Sequence, residues 1–187
     1  ELMTDDAIIE QIREGETEQF ARLVDRYARR VFGLIGSMVD DSAVVEDLAQ
    51  ETFVQAYTSL PLFRGDSPFV SWLLTIACRQ ALQWRRRRRL PTVSLDDEQW
   101  PLLDQVEVEV FFSQPDAERL RYLHEALDQL PSVDRAIVTL FYYDDLSTQE
   151  ISRILETSDG AVRNRLYRIR QRLYLTIKQR EHDENQS

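Results

Sequence analysis

A chain of 187 residues has room for one ordinary domain or two small ones, and 43% hydrophobic residues with 10% aromatics suffice for packed cores. No run approaches the roughly eighteen apolar residues of a membrane span, and the basic-then-apolar order of a signal peptide is missing, so a cytoplasmic location is expected. The single cysteine, Cys78, excludes an internal disulfide, and with only His124 and His182 beside it no zinc cluster and no cofactor site is expected.

The net charge of −10 divides unevenly: residues 1–90 carry 12 basic and 14 acidic groups, residues 119–187 carry 11 and 11, and residues 91–118 carry none and 8. Phosphate attraction acts over about a Debye length, roughly 8 Å at physiological salt. A local basic face therefore outweighs a remote acidic segment, and global acidity does not exclude a nucleic-acid partner.

Residues 4–89 read as helical, with apolar spacing at Ile8, Ile9 and Ile12, then at Phe20, Leu23, Val24, Tyr27, Val31, Leu34 and Ile35. A third helix is expected over residues 42–60, ended by Pro61, and a fourth from about Pro68, a residue suited to a first helical turn. Four helices with short connections predict a compact bundle. On the third helix Asp47, Gln50 and Glu51 recur at i, i+3 and i+4 and so share one face, opposite Leu48, Ala49, Thr52, Phe53, Ala56 and Leu60. A carboxylate pair can do acid-base chemistry, but nothing nearby supplies a histidine or a metal partner. A solvated face or a basic protein partner are the competing readings. The fourth helix carries Phe69, Trp72, Leu73, Ile76 and Ala77 as a stripe, with Trp72 expected in the core and Cys78 as a small packed side chain. It ends in Arg85, Arg86, Arg87, Arg88 and Arg89, with no acidic residue within a turn, which points to a polyanion. Aromatics beside such a strip also suit unstacked bases, at about 1 to 3 kcal/mol per stacked ring.

Residues 91–115 contain Pro91, Pro101 and Pro115 and no positive charge, so a mostly extended acidic linker is expected between domains at 1–90 and 116–187. Its Trp100, Phe111 and Phe112 either dock on one of the domains or wait for a partner. The second domain is expected as helices over 116–130 and 133–143, broken at Leu130-Pro131-Ser132, then a helix-turn-helix pair over 146–173, with the polar end after Lys178 fraying.

The first helix of that pair has an N-cap at Ser147 or Thr148, Glu150 placed as in a capping box, and an apolar face of Ile151, Ile154 and Leu155. Thr157, Ser158, Asp159 and Gly160 supply turn and cap chemistry. In the second helix Val162, Leu166, Ile169 and Leu173 form a buried stripe, so Arg163, Asn164, Arg165, Arg168 and Arg172 are expected to point outward, toward phosphates and guanine edges. A surface helix with a solvated arginine face is the alternative.

Together these segments resemble a sigma factor of bacterial RNA polymerase, of the compact extracytoplasmic-function (ECF) branch that retains only the second and fourth conserved regions. Val45-Glu46-Asp47-Leu48-Ala49-Gln50-Glu51-Thr52-Phe53 is similar to the core-binding helix. Phe63-Arg64-Gly65-Asp66-Ser67 and Trp72-Leu73-Leu74-Thr75-Ile76-Ala77 are similar to the promoter-melting segment, and Leu130-Pro131 to the opening of the fourth region. The resemblance implies an all-α, non-enzymatic subunit without a small-molecule substrate, whose partners are the beta-prime and beta subunits of core polymerase, promoter DNA and an anti-sigma factor that would hold it at the inner membrane.

By that resemblance Asp47, Gln50 and Glu51 would grip the clamp helices of beta-prime, and Phe63, Arg64, Gly65, Asp66 and Ser67 would hold a flipped base of the minus-10 element. Arg79 and the arginines 85–89 would follow the strand there, Ser158, Arg163, Asn164, Arg165, Tyr167 and Arg168 would read the minus-35 element, and the acidic linker would imitate a nucleic-acid strand in the polymerase channels. In one departure, Cys78-Arg79 stands where the family usually has arginine-asparagine, which leaves the minus-10 preference open. The competing function is a helix-turn-helix regulator binding a palindromic duplex as a dimer. A nucleic-acid-modifying enzyme would need a metal or nucleophile constellation that the sequence does not supply.

Overall fold

The computed structural model describes residues 3–90, 105–113 and 117–186, and among them it is helical with no strand. Helix α1 (Asp5–Arg13) starts at Thr4, whose hydroxyl accepts from the Ala7 N–H at 3.3 Å, and Asp5 and Asp6 in its first turn suit the positive end of the helix dipole. Asp5 also accepts from the Arg26 guanidinium and the Tyr27 hydroxyl, tying α1 to α2 (Phe20–Met38). Burial, and then the bond to Asp5, push the Tyr27 hydroxyl up to about 12.

Helix α3 (Ser42–Ser59) is capped by Asp41, which accepts from the Ala43 N–H at 3.0 Å, and the turn Leu60–Leu62 with Pro61 ends it. Helix α4 (Phe69–Arg87) follows Pro68. α2, α3 and α4 pack on one another around Leu23, Leu34, Ile35, Met38, Leu73 and Leu74, all wholly buried. Full burial of an aliphatic side chain contributes roughly 1.5 to 3 kcal/mol.

The stretch expected to be mostly extended contains a helix, α5 (Gln105–Ser113). Between Pro101 and Pro115 no helix breaker intervenes, and Val108 and Phe111 fall on one side and bury against Tyr122, Tyr174 and Ile177. The Tyr174 hydroxyl donates to Glu107, and Arg119 lies over the Phe111 ring at 4.4 Å. Phe111 and Phe112 therefore dock on the second domain, while residues 91–104, with Trp100, fall outside the described residues.

Helices α6 (Ala117–Asp128), α7 (Ser132–Val138) with its π-helical continuation Thr139–Tyr143, α8 (Thr148–Ile154) and α9 (Asp159–Glu184) build the second domain. The C-terminal end does not fray at Lys178. α9 continues to Glu184 because Glu181 pairs with Arg119 at 2.8 Å and Glu184 with Arg121 at 3.1 Å, laying the last turns along α6. A further difference from the sequence reading is that the lobes are packed together. α2 meets α7, α4 meets α8, and one apolar core runs through both.

Candidate nucleic-acid interface

Asp47, Gln50 and Glu51 are exposed and line a shallow groove with Val54, Gln55, Thr58 and Gln80. Beneath them Val45, Leu48, Ala49, Thr52 and Ala56 are buried, so the helical period separates an apolar inner face from a polar outer one. Gln80 of α4 donates to Gln55 at 2.8 Å, which ties the far wall of the groove to α3.

The 63–67 loop is anchored at its first residue. Phe63 is buried, its ring packs against Phe69 and Trp72 at 5.8 and 5.2 Å, and its carbonyl accepts from Arg13 at 2.6 Å. This corrects the placement of Phe63 among groups presented to a base: it is a hydrophobic anchor, because an aromatic next to the α4 stripe gains more from burial than from solvent. Trp72 is half-buried against Phe63 and Phe69, as its spacing predicts. Arg64, Gly65 and Asp66 are exposed and Ser67 is half-buried, with Gly65 at φ +77°, a conformation that glycine adopts without strain.

At the other end of α4, Arg86, Arg87, Arg88 and Arg89 are exposed, and Arg88 lies over the Trp84 ring at 5.3 Å. Arg85 differs. It turns inward and donates to the Met38 carbonyl at 2.9 Å, and burial together with nearby Arg135 lowers its pKa. Arg79 is exposed and donates to Glu156 through Nε at 3.1 Å and Nη2 at 2.6 Å.

The helix-turn-helix is built by reciprocal capping. Ser147 is the N-cap of α8: its hydroxyl accepts from the Glu150 N–H at 3.2 Å, while the Glu150 carboxylate accepts from the Ser147 N–H at 2.8 Å. The chain then turns at Glu156, at φ +55°, and Ser158 caps α9 by accepting from the Ala161 N–H at 3.1 Å. Thr148 donates to Asp159 at 2.5 Å and fixes the first turn of one helix against the other.

Val162, Leu166, Ile169 and Leu173 are buried as the stripe predicts. Arg163 and Asn164 are exposed, Arg163 pairs with Asp159 at 3.0 Å, and Tyr167 and Arg168 are half-buried. Arg165 overturns its expected outward placement: it is buried, and its Nε donates to the equally buried Asp134 of α7. A guanidinium can enter a core when a carboxylate is there to meet it. Two participants, Asp134 and Glu156, were not singled out in the sequence. Asp134 has no local signal of a partner 31 residues away, Glu156 has no glycine to mark its left-handed turn, and only the role of Asp159 as a cap residue was legible.

The Sigma-70 region 2 family matches residues 23–90, and the Sigma-70, region 4 family matches residues 120–173. The RNA polymerase sigma-H factor of Pseudomonas aeruginosa is 32% identical over 174 residues, spanning 89% of this chain and 90% of that protein. The ECF RNA polymerase sigma-E factor of Escherichia coli K12 is 33% identical over 186 residues, spanning 91% and 93%. Among solved structures, CnrH in complex with the cytosolic domain of CnrY aligns with a TM-score of 0.62 at 24% identity, over 91% of this chain and 95% of that one. RpoE in complex with the anti-sigma factor NepR from Bartonella quintana aligns with a TM-score of 0.62 at 22% identity, over 86% and 98%, and these two likenesses show the shared fold.

Regions 2 and 4 in order, the second built on a capped helix-turn-helix, define a sigma factor of RNA polymerase. Within that class the chain belongs to the ECF sigma factors, on the strength of relatives that match it over nearly its whole length. That match spans both lobes, and the dimeric-regulator reading accounts for the second lobe alone.

Proposed function

We propose that this sigma factor binds core polymerase through Asp47, Gln50 and Glu51, holds the minus-10 element with the 64–67 loop, Arg79 and Arg86–Arg89, and reads the minus-35 element with Ser158, Arg163, Asn164, Tyr167 and Arg168. The observation that carries this reading is the separation of charge types by lobe and face: an exposed acidic and amide groove on α3, exposed arginines at the end of α4, and the exposed Arg163 with the half-buried Arg168 on α9. Carboxylates favour a basic protein surface, and arginines favour phosphates and guanine edges. The polymerase does the chemistry, and this chain supplies recognition.

Control by an anti-sigma factor is part of the proposal, supported by the two structural neighbours, one solved in complex with the cytosolic domain of CnrY and the other with the anti-sigma factor NepR. No helix among the described residues is long and apolar enough to cross a membrane.

Reconstitution with core enzyme tests the reading. The purified chain should direct specific transcripts only when core is added, and Asp47→Lys with Glu51→Lys should weaken core binding at least tenfold while helicity by circular dichroism is kept. Unchanged core affinity in that variant would remove the α3 face from the proposal.

A further inference from the structure

The second lobe encloses a hollow. Between α5, α6, the end of α7 and α9 lies a cavity of about 500 Å³. Its floor is Val108, Val138, Ile169 and Leu173, each at most 7% exposed, and Leu127 stands in one wall. Packed interiors hold few voids larger than a water molecule, whereas pockets for small molecules run from about 300 to 1,000 Å³. Ile169 and Leu173 belong to the apolar stripe that seats α9 in its lobe, so the hollow lies directly behind that helix.

An irregular turn builds the mouth. α7 runs on into the π-helical segment Thr139–Tyr143, where the Asp144 N–H donates to the Thr139 carbonyl at 3.1 Å, and turns of this kind recur at functional sites. The wider turn carries Tyr142 and Tyr143 out of the apolar register of α7. They stand 50% and 69% exposed at the rim, with the exposed Glu109. Half-buried Arg170 of α9 lies beside them: its Nε donates to the Tyr142 hydroxyl at 2.7 Å, and its guanidinium is 5.9 Å from the centre of that ring. No carboxylate among the described residues pairs with Arg170. The phenol takes one of its five N–H donors, and a phenol does not neutralise a cation.

We propose that this cavity binds an aliphatic carboxylate, a fatty acid of medium or long chain, with the acyl chain between the helices and the carboxylate on the Arg170 guanidinium. Three features select that class. The floor is aliphatic, so a ring bearing polar groups would leave its hydrogen bonds in water and find none inside, whereas a methylene chain has none to lose. A guanidinium meets a carboxylate through paired, charge-assisted hydrogen bonds. Glu109 on the same rim repels a second negative charge, which favours a single carboxylate over a phosphate head.

The test uses the full chain with neither polymerase nor DNA, so it stands apart from the sigma function. Titration calorimetry with hexanoate, octanoate and decanoate, each below its micelle concentration, should give one site per chain, with affinity rising about fourfold for each added methylene. Arg170→Gln should weaken decanoate about tenfold and leave decanol unchanged, because only the contact with the head is altered. Glu109→Gln should tighten decanoate about twofold. Leu127→Trp should fill the hollow and abolish binding of both, with helicity by circular dichroism kept; if that variant loses helicity, Arg170→Gln at the rim carries the test. Absence of saturable binding below the micelle concentration overturns the proposal. So does decanol binding as tightly as decanoate, an affinity indifferent to chain length, or loss of helicity when decanoate is added to the parent.

Discussion

The arginines that end α4 and those of α9 are two basic clusters of similar composition, and each gives one member to the protein interior in a different way. Arg85 remains partly solvated and meets a neutral carbonyl, that of Met38. Arg165 is 7% exposed and meets a carboxylate that is itself buried, that of Asp134. The comparison teaches that a run of arginines is not one functional unit. The opposite wall decides which residue braces the fold and which is left for a ligand: the buried carboxylate of Asp134 takes Arg165 into the interior, whereas the Met38 carbonyl leaves Arg85 partly solvated.

The largest expected effect follows from the deeper of the two. Asp134→Ala leaves the Arg165 charge buried without its partner and should cost the second lobe about 3 to 5 kcal/mol, read by urea denaturation, whereas Arg85→Ala should cost about 1 kcal/mol. Equal losses at the two sites would dissolve the contrast. Next in size, Arg168→Ala should remove about 1 to 3 kcal/mol of discrimination between matched and scrambled minus-35 DNA in a competition assay with holoenzyme, with core affinity unchanged. The smallest effect belongs to the α4 end: Arg87→Ala should weaken promoter binding evenly across sequences and flatten the slope of log K against log salt by about one. A change in sequence preference there would move Arg87 from the phosphates to the bases.

Much of this architecture was legible from residue spacing. The stripe of Val162, Leu166, Ile169 and Leu173, the Ser147 and Glu150 capping box, and the two faces of α3 rest on local periodicity, which the helix repeat enforces whatever surrounds it. What was hidden depends on partners distant in sequence. Arg165 lies only about 60° around the helix from Val162, at the border of the apolar stripe. Its charge argues for solvent, and only Asp134 on another helix reverses that. α5 was hidden for a related reason: its carboxylates and the prolines that flank it, Pro101 and Pro115, are those of a linker, and the α6 and α9 aromatics that give it a seat lie outside its own window. The packing of the lobes was equally invisible, since the Arg30–Asp144 pair joins residues 114 apart.

The seat of α5 on α9 also sets a length. While Phe111 stays against Tyr174, at 4.9 Å between ring centres, chain length alone bounds the distance from Leu90 to Gln105 at about 50 Å. Were α5 to lift off and uncoil, the span would run to Ala117 and extend to about 90 Å. A nine-residue helix thus meters slack, like a folded pleat in a strap: how far the recognition lobe can travel is governed by whether a pair of rings packed edge to face stays closed.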